Sequence, residues 1–191
     1  MRALVEAGLP VAAVISNRAD AAGLDYAGGR GIATAVVEHR AFAERAQFEA
    51  ALHREIRRFS PRLLALAGFM RVLTPEFVGC YRDRVLNIHP SLLPVFPGLN
   101  THARALAAGV KVHGCTVHFV TGELDSGPIV AQAAVPVRPG DGAEELAARV
   151  LAQEHVIYPR AVRWFLEDRL VIENGVVRVK GDDAQLVMAA P

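Results

Sequence analysis

Along the chain, short apolar runs alternate with longer stretches in which apolar residues recur at helical spacing. Residues 11–15 (VAAVI) read as a buried strand, closed by the polar turn Ser16-Asn17-Arg18. Residues 20–30 read as a short helix ended by Gly28-Gly29, and residues 32–37 as a second strand. Phe42, Phe48, Leu52 and Ile56 fall near helical spacing, among the polar positions Glu49, Arg54, Glu55, Arg57 and Arg58. The spacing predicts an amphipathic helix over 41–59, stopped by Ser60-Pro61.

The pattern continues in the second half. Residues 63–67 (LLALA) are apolar on both faces, as in a central parallel strand. Residues 85–89 form another strand, which ends on polar residues. A short helix is predicted over 101–108, then strands over 115–121 and 129–137. A long helix is predicted over 142–166, broken or bent around Tyr158-Pro159. Residues 170–172 and 176–179 flank Glu173-Asn174-Gly175, which predicts a hairpin with an Asn-Gly turn. Beyond about Gly181 the chain reads as frayed. The fold class is therefore α/β, an open, mostly parallel, Rossmann-like sheet with a C-terminal hairpin. With no repeat or low-complexity linker, residues 1–191 are expected to form a single domain.

Composition narrows the function. A chain of 191 residues can bury the core of one domain, and 52% hydrophobic with 21% charged residues fits a globular protein. No apolar run approaches the roughly 18 residues of a membrane span, and no secretion signal is visible at the start. Cys80 and Cys115 offer neither a disulfide framework nor metal-ligand spacing. A net charge of +1 leaves no electrostatic footprint for nucleic acid. The expectation is cytoplasmic small-molecule chemistry, without metal, membrane or nucleic acid.

Asn87-Ile88-His89-Pro90-Ser91-Leu92-Leu93-Pro94 carries the strongest chemical signal. Residues two apart on a strand face one side, so Asn87 and His89 project together while Ile88 turns toward the core. Side chains at such a strand end stand where open α/β sheets bind ligands. An amide N–H and an imidazole aimed at one point can stabilise an oxyanion, and the imidazole can move a proton near neutral pH. The alternative is a strand-end histidine satisfied by nearby backbone. Downstream, residues 114–128 run from a strand into a tight loop bearing Asp125, with Gly127-Pro128 turning the chain back. A buried carboxylate beside His89 would favour its cation and could relay a proton. His118 reads on its own as a half-buried strand residue. Ser91 and Cys115 read as structural rather than nucleophilic.

Taken together, Ala67-Gly68-Phe69-Met70-Arg71-Val72-Leu73, Leu86 to Pro94, Phe96-Pro97-Gly98-Leu99 and the 118–125 segment resemble the glycinamide ribonucleotide formyltransferases, folate-dependent enzymes of purine synthesis. The resemblance runs from about residue 11 to 170 and includes Ile15-Ser16-Asn17 and Gln153 to Pro159. It implies a catalytic trio of Asn87, His89 and Asp125, with His89 the proton donor and Asp125 the neighbour that favours its protonated form. It implies that Met70, Arg71, Val72 and Leu73 grip the pterin of 10-formyltetrahydrofolate, helped by Asn87, and that Arg45 also contacts this formyl donor. It places Glu154 near the amine of the acceptor, phosphoribosylglycinamide, and His118 behind the trio. Gly122 stands where related sequences carry an acidic residue and receives no role. The implied co-substrate is 10-formyltetrahydrofolate, and the implied assembly is a monomer or homodimer.

One departure accompanies the resemblance. The family opens on a strand and a Gly-x-Gly-Ser-Asn loop whose backbone N–H groups cradle a phosphate. Residues 1–8 (MRALVEAG) instead resemble the end of the helix after that loop. The expectation is a chain shortened at its N-terminus relative to the family, or a genuine short form, with the first strand and phosphate loop missing. Three rivals to the transferase remain. A formyltetrahydrofolate deformylase would use the same trio on water and is expected to carry an added N-terminal domain. A formyltransferase of initiator tRNA is expected to have an added C-terminal domain and a basic surface. A shortened chain could also bind folate without turnover.

Overall fold

In a computed structural model, described over residues 1–189, the chain separates into two compact units, residues 1–62 and residues 63 onward. No helix among the described residues is long and apolar enough to cross a membrane.

The first unit begins with helix α1 (Arg2–Glu6), strand β1 (Ala13–Ser16), helix α2 (Ala22–Gly28) and strand β2 (Ala33–Val36). β1 and β2 pair in parallel, Ala13 opposite Ala33, with α2 as the crossover. Helix α3 (Arg45–Arg57) starts four residues later than its periodicity suggests, because His39–Ala41 forms a separate 3-10 turn. The reason is aromatic packing. Phe42 is extended and folds back edge-on against Phe48 at a ring-centroid distance of 6.1 Å, and His39 meets Phe48 at 6.5 Å. Phe42 thus belongs to the apolar cluster without belonging to the helix. The buried face of α3 consists of Phe48, Leu52, Ile56 and, against its polar character, Glu49.

The second unit holds β3 (Leu64–Leu66), α4 (Pro75–Gly79), β4 (Val85–His89), α5 (Thr101–Ala107), β5 (Val112–Phe119), β6 (Ile129–Pro136), α6 (Ala143–Leu166), β7 (Leu170–Glu173), β8 (Val176–Val179) and β9 (Leu186–Met188). Its five-stranded sheet runs β3-β4-β5-β6-β9. β3/β4 and β6/β9 are parallel, like β1/β2, whereas β4/β5 and β5/β6 are antiparallel. Helix α4 went unforeseen, although Thr74 accepts from the Phe77 N–H at 3.2 Å and Pro75 follows it, a regular helix start.

Helix α6 runs unbroken through Pro159. Ile157, Tyr158, Ala161, Val162 and Trp164 are all buried around the proline, so tertiary packing outweighs the lost helical bond. The helix covers one face of the sheet. Phe165 packs near Phe119 at 6.5 Å, and the Tyr158 hydroxyl reaches the carbonyls of Leu66 at 2.7 Å and Leu86 at 3.0 Å. The β7/β8 hairpin turns at Asn174 (φ 50°) and Gly175 (φ 78°), the two positive φ values its turn requires.

The residues after Gly181 are a correction. They are not frayed, because β9 adds in parallel to β6. Asp183 ties the approach down, accepting from Trp164 Nε1 at 3.1 Å and pairing with Arg169 at 2.6 Å. Gln185 Nε2 donates to the Val130 carbonyl at 2.8 Å. Residues 190 and 191, the end of that expected frayed tail, lie outside the described residues.

Candidate active site

Strand register assembles the site. Asn87 lies directly opposite His118, and His89 opposite Thr116. Opposed residues of an antiparallel pair point the same way, so all four side chains share the face turned away from α6. Ile88, on the other face, is only half-buried, whereas Leu86 beside it is fully buried. The loop after β5 brings in Asp125, whose φ of 49° is one that aspartate tolerates. Gly127 lets that loop close. A Cβ there would stand 1.8 Å from the Phe119 carbonyl oxygen.

His89 is 6% exposed. Its Nδ1 stands 3.3 Å from Asp125 Oδ2, and its Nε2 stands 3.0 Å from the Phe96 carbonyl oxygen. A carbonyl only accepts, so Nε2 carries a hydrogen and donates it. The mobile proton of the pair therefore lies on the edge between Nδ1 and Asp125. The Gly98 N–H donates to the same carboxylate oxygen at 2.8 Å.

His118 orders the other half of the cluster. Its Nδ1 lies 2.9 Å from the Phe119 carbonyl, so Nδ1 is the protonated nitrogen. Burial pulls this histidine below its ordinary pKa, against the opposing pulls of that carbonyl and of Asp125. In the neutral ring Nε2 is an acceptor, and Asn87 Nδ2 donates to it at 3.3 Å. The amide is thereby turned with its nitrogen toward His118, because its oxygen would face the ring's lone pair. Asp125 Oδ1 is 3.8 Å from the same ring nitrogen.

Asn87, His89, Asp125 and His118 thus form one cluster of an amide donor, two imidazoles and a carboxylate. Such a cluster can hold a developing oxyanion and move a proton beside it. Residues 67–73 leave the carboxyl end of β3, and residues 90–98 leave the carboxyl end of β4, its parallel neighbour. In the first of these segments Met70 is 78% and Val72 47% exposed, Arg71 is half-buried and Leu73 is buried. Glu154 is not brought to the trio by any contact. It sits half-buried on α6, the helix that covers the opposite face, where burial raises its carboxyl pKa. Arg45 is exposed at the start of α3 in the first unit. Sequence reasoning missed the backbone partners, Phe96 and Gly98, which no residue type announces.

A mixed α/β sheet with this cluster on two of its inner strands defines a class. A family model described as formyl transferase matches residues 2–162, and the chain belongs to that family. Over 171 residues it is 49% identical to phosphoribosylglycinamide formyltransferase of Escherichia coli K12, covering 90% of this chain and 81% of that one. The enzyme of the same name from Haemophilus influenzae is 44% identical, again over 90% of this chain and 81% of that one. A crystal structure of phosphoribosylglycinamide formyltransferase from Anaplasma phagocytophilum superimposes with a TM-score of 0.92 at 42% identity, over 98% of this chain and 92% of that one. Within the family, the chain's place is among the phosphoribosylglycinamide formyltransferases.

Proposed function

We propose that the chain transfers the formyl group of 10-formyltetrahydrofolate to the amine of phosphoribosylglycinamide, in purine biosynthesis. The observation that carries the site assignment is the 3.3 Å approach of His89 to Asp125, beside an Asn87 amide whose nitrogen is held in place. The acceptor amine attacks the formyl carbon, and a new C–N bond forms as the carbonyl oxygen becomes an oxyanion. The second N–H of the Asn87 amide holds that oxyanion, with the His89–Asp125 pair beside it, an effect worth roughly 3–4 kcal/mol for a single well-placed donor. The bond from the formyl carbon to the folate nitrogen then breaks. The proton lost by the amine passes to that nitrogen through the His89–Asp125 pair. His118 orients Asn87.

The exposed side chains of Met70 and Val72 support a pterin contact beside His89. Glu154 is the candidate carboxylate for the acceptor amine. We place the protein in the cytoplasm, as a monomer or homodimer.

The test supplies 10-formyltetrahydrofolate with and without phosphoribosylglycinamide and follows release of tetrahydrofolate. Amine-dependent release is expected, and amine-independent release would mean a deformylase. His89→Ala is expected to lower kcat by about 10²–10⁴-fold while folate affinity stays near wild type. Near-normal turnover in that variant would remove His89 from the mechanism.

A further inference from the structure

The His89–Asp125 pair takes its backbone partners from a single irregular loop, residues 90–98. Phe96 supplies the carbonyl that receives His89 Nε2–H, and Gly98 supplies the N–H that binds Asp125. That loop has no regular secondary structure of its own. It is held by side chains of the sheet.

Thr116 lies opposite His89 on β5, and Gln132 lies opposite Thr116 on β6. Thr116 is fully buried. Its Oγ1 donates to the Ser91 carbonyl at 2.7 Å and accepts from the Leu93 N–H at 3.0 Å and from Gln132 Nε2 at 3.1 Å. One hydrogen and two lone pairs are all that a hydroxyl has, so this group is saturated. Gln132 Nε2 also donates to the Leu93 carbonyl at 2.9 Å. Both polar groups of Leu93 are therefore bound to the sheet. Nearby, Leu92 presses on Gly114, where a Cβ would stand 2.9 Å from its Cδ2. Ser91 Oγ donates to the Val95 carbonyl at 2.7 Å, carrying the constraint to the residue before Phe96.

We infer that Thr116 and Gln132 are positioning residues for formyl transfer. They clamp the 90–98 loop so that Phe96 fixes the ring of His89 and Gly98 fixes the carboxylate of Asp125. The inference rests on His89 and Asp125 being the reacting pair. Without Oγ1, the Ser91 carbonyl and Leu93 N–H lose their buried partner, and the loop shifts to find another. A misplacement of order 1 Å in a reacting constellation costs about 10²-fold.

The test uses the full chain with Thr116→Val, Thr116→Ser, Gln132→Met and His89→Ala. In Thr116→Val, kcat is expected to fall about 10- to 100-fold, with KM for either substrate changed by no more than about two-fold. Gln132→Met, which leaves Oγ1 in place, is expected to fall less, and Thr116→Ser to recover most of the rate. In parallel, ¹⁵N-histidine spectra read the hydrogen-bonded Nε2–H of His89, assigned by its loss in His89→Ala. That resonance is expected in the wild type and in Thr116→Ser, and exchanged or shifted in Thr116→Val. A folded Thr116→Val with wild-type kcat overturns the clamp, as does a slowed variant with an unchanged Nε2–H resonance. If Thr116→Val does not fold, Gln132→Met decides on the same readouts. An active His89→Ala overturns the reading of the site instead, and the spectra still report whether the clamp holds the ring.

Discussion

On one face of the five-stranded sheet, β4 presents Asn87 and His89, β5 presents Thr116 and His118, and β6 presents Gln132. On the other face the same strands present Leu86, Cys115, Val117, Phe119 and Ala133 toward α6. Leu86, Cys115, Val117 and Ala133 are all 0% exposed. That face stabilises by area, at about 25 cal/mol for each Å² of apolar surface removed from water. Even its one reactive group is silenced, because burial pushes the Cys115 thiol far above its ordinary pKa. The polar face gains little from area. It depends on each donor finding its acceptor, many of which are backbone groups in loops. One strand can thus serve stability through its odd positions and chemistry through its even ones, or the reverse, and substitutions should separate the two.

The largest effect is expected at Asp125. Asp125→Asn keeps the shape and the Gly98 contact but removes the charge beside His89 Nδ1. Turnover should fall by about 10²–10⁴-fold, measured as kcat for amine-dependent tetrahydrofolate release. Its thermal midpoint should stay close to wild type. A large loss of stability with normal kcat in the surviving folded fraction would reverse the assignment of the two faces.

The converse is expected on α6. Ile157 is fully buried in the helix that covers the apolar face. Ile157→Ala should cost about 2–5 kcal/mol in denaturant unfolding through lost transfer energy and a residual cavity. Below its unfolding transition the variant should keep kcat within about two-fold, since the truncation removes an apolar contact and alters none of Asn87, His89, Asp125 or Glu154. A matching collapse of kcat in the folded state would mean that the faces are coupled.

The same contrast explains what the sequence made legible. Alternation marked β4 to the residue, and the Asn87/His89 pairing follows from alternation alone. Asp125 was legible because an aspartate before Gly-Pro marks a turn, though only the fold brings it to His89. Phe96, Gly98 and Gln132 were not legible, because their roles depend on where an irregular loop lies. The antiparallel direction of β5 and β6 was also hidden, since a buried strand reads alike in either direction. β9 is short and alternates weakly, so it exists only through its pairing with β6. Phe42 and Pro159 misled in opposite ways. One lent a helix a residue that packs from outside it, and the other suggested a break that burial closes.

The smallest effect, and the sharpest in its pH dependence, lies where β6 turns into α6. Arg149 grips Asp141 with two bonds of 2.7 and 2.8 Å and also donates to the Pro136 carbonyl at 2.8 Å. The Arg138 N–H adds a bond to the same carboxylate at 2.7 Å. The guanidinium, helped by that N–H, holds the Asp141 carboxyl down at about 2, from an ordinary 3.8. As pH falls, the unfolded chain takes up this proton first, near 4, and the folded chain only near 2. The stabilising contribution is therefore complete above about pH 4, declines between about 4 and 2, and is gone below that. Asp141→Asn should lower the thermal midpoint at neutral pH. The gap to wild type should then narrow across that acid window and close at its lower end. Because the pair serves the frame and not the chemistry, kcat at neutral pH should not move. A gap that persists undiminished below pH 2 would show that the asparagine disturbs packing at the turn, and that the charge itself contributes nothing there.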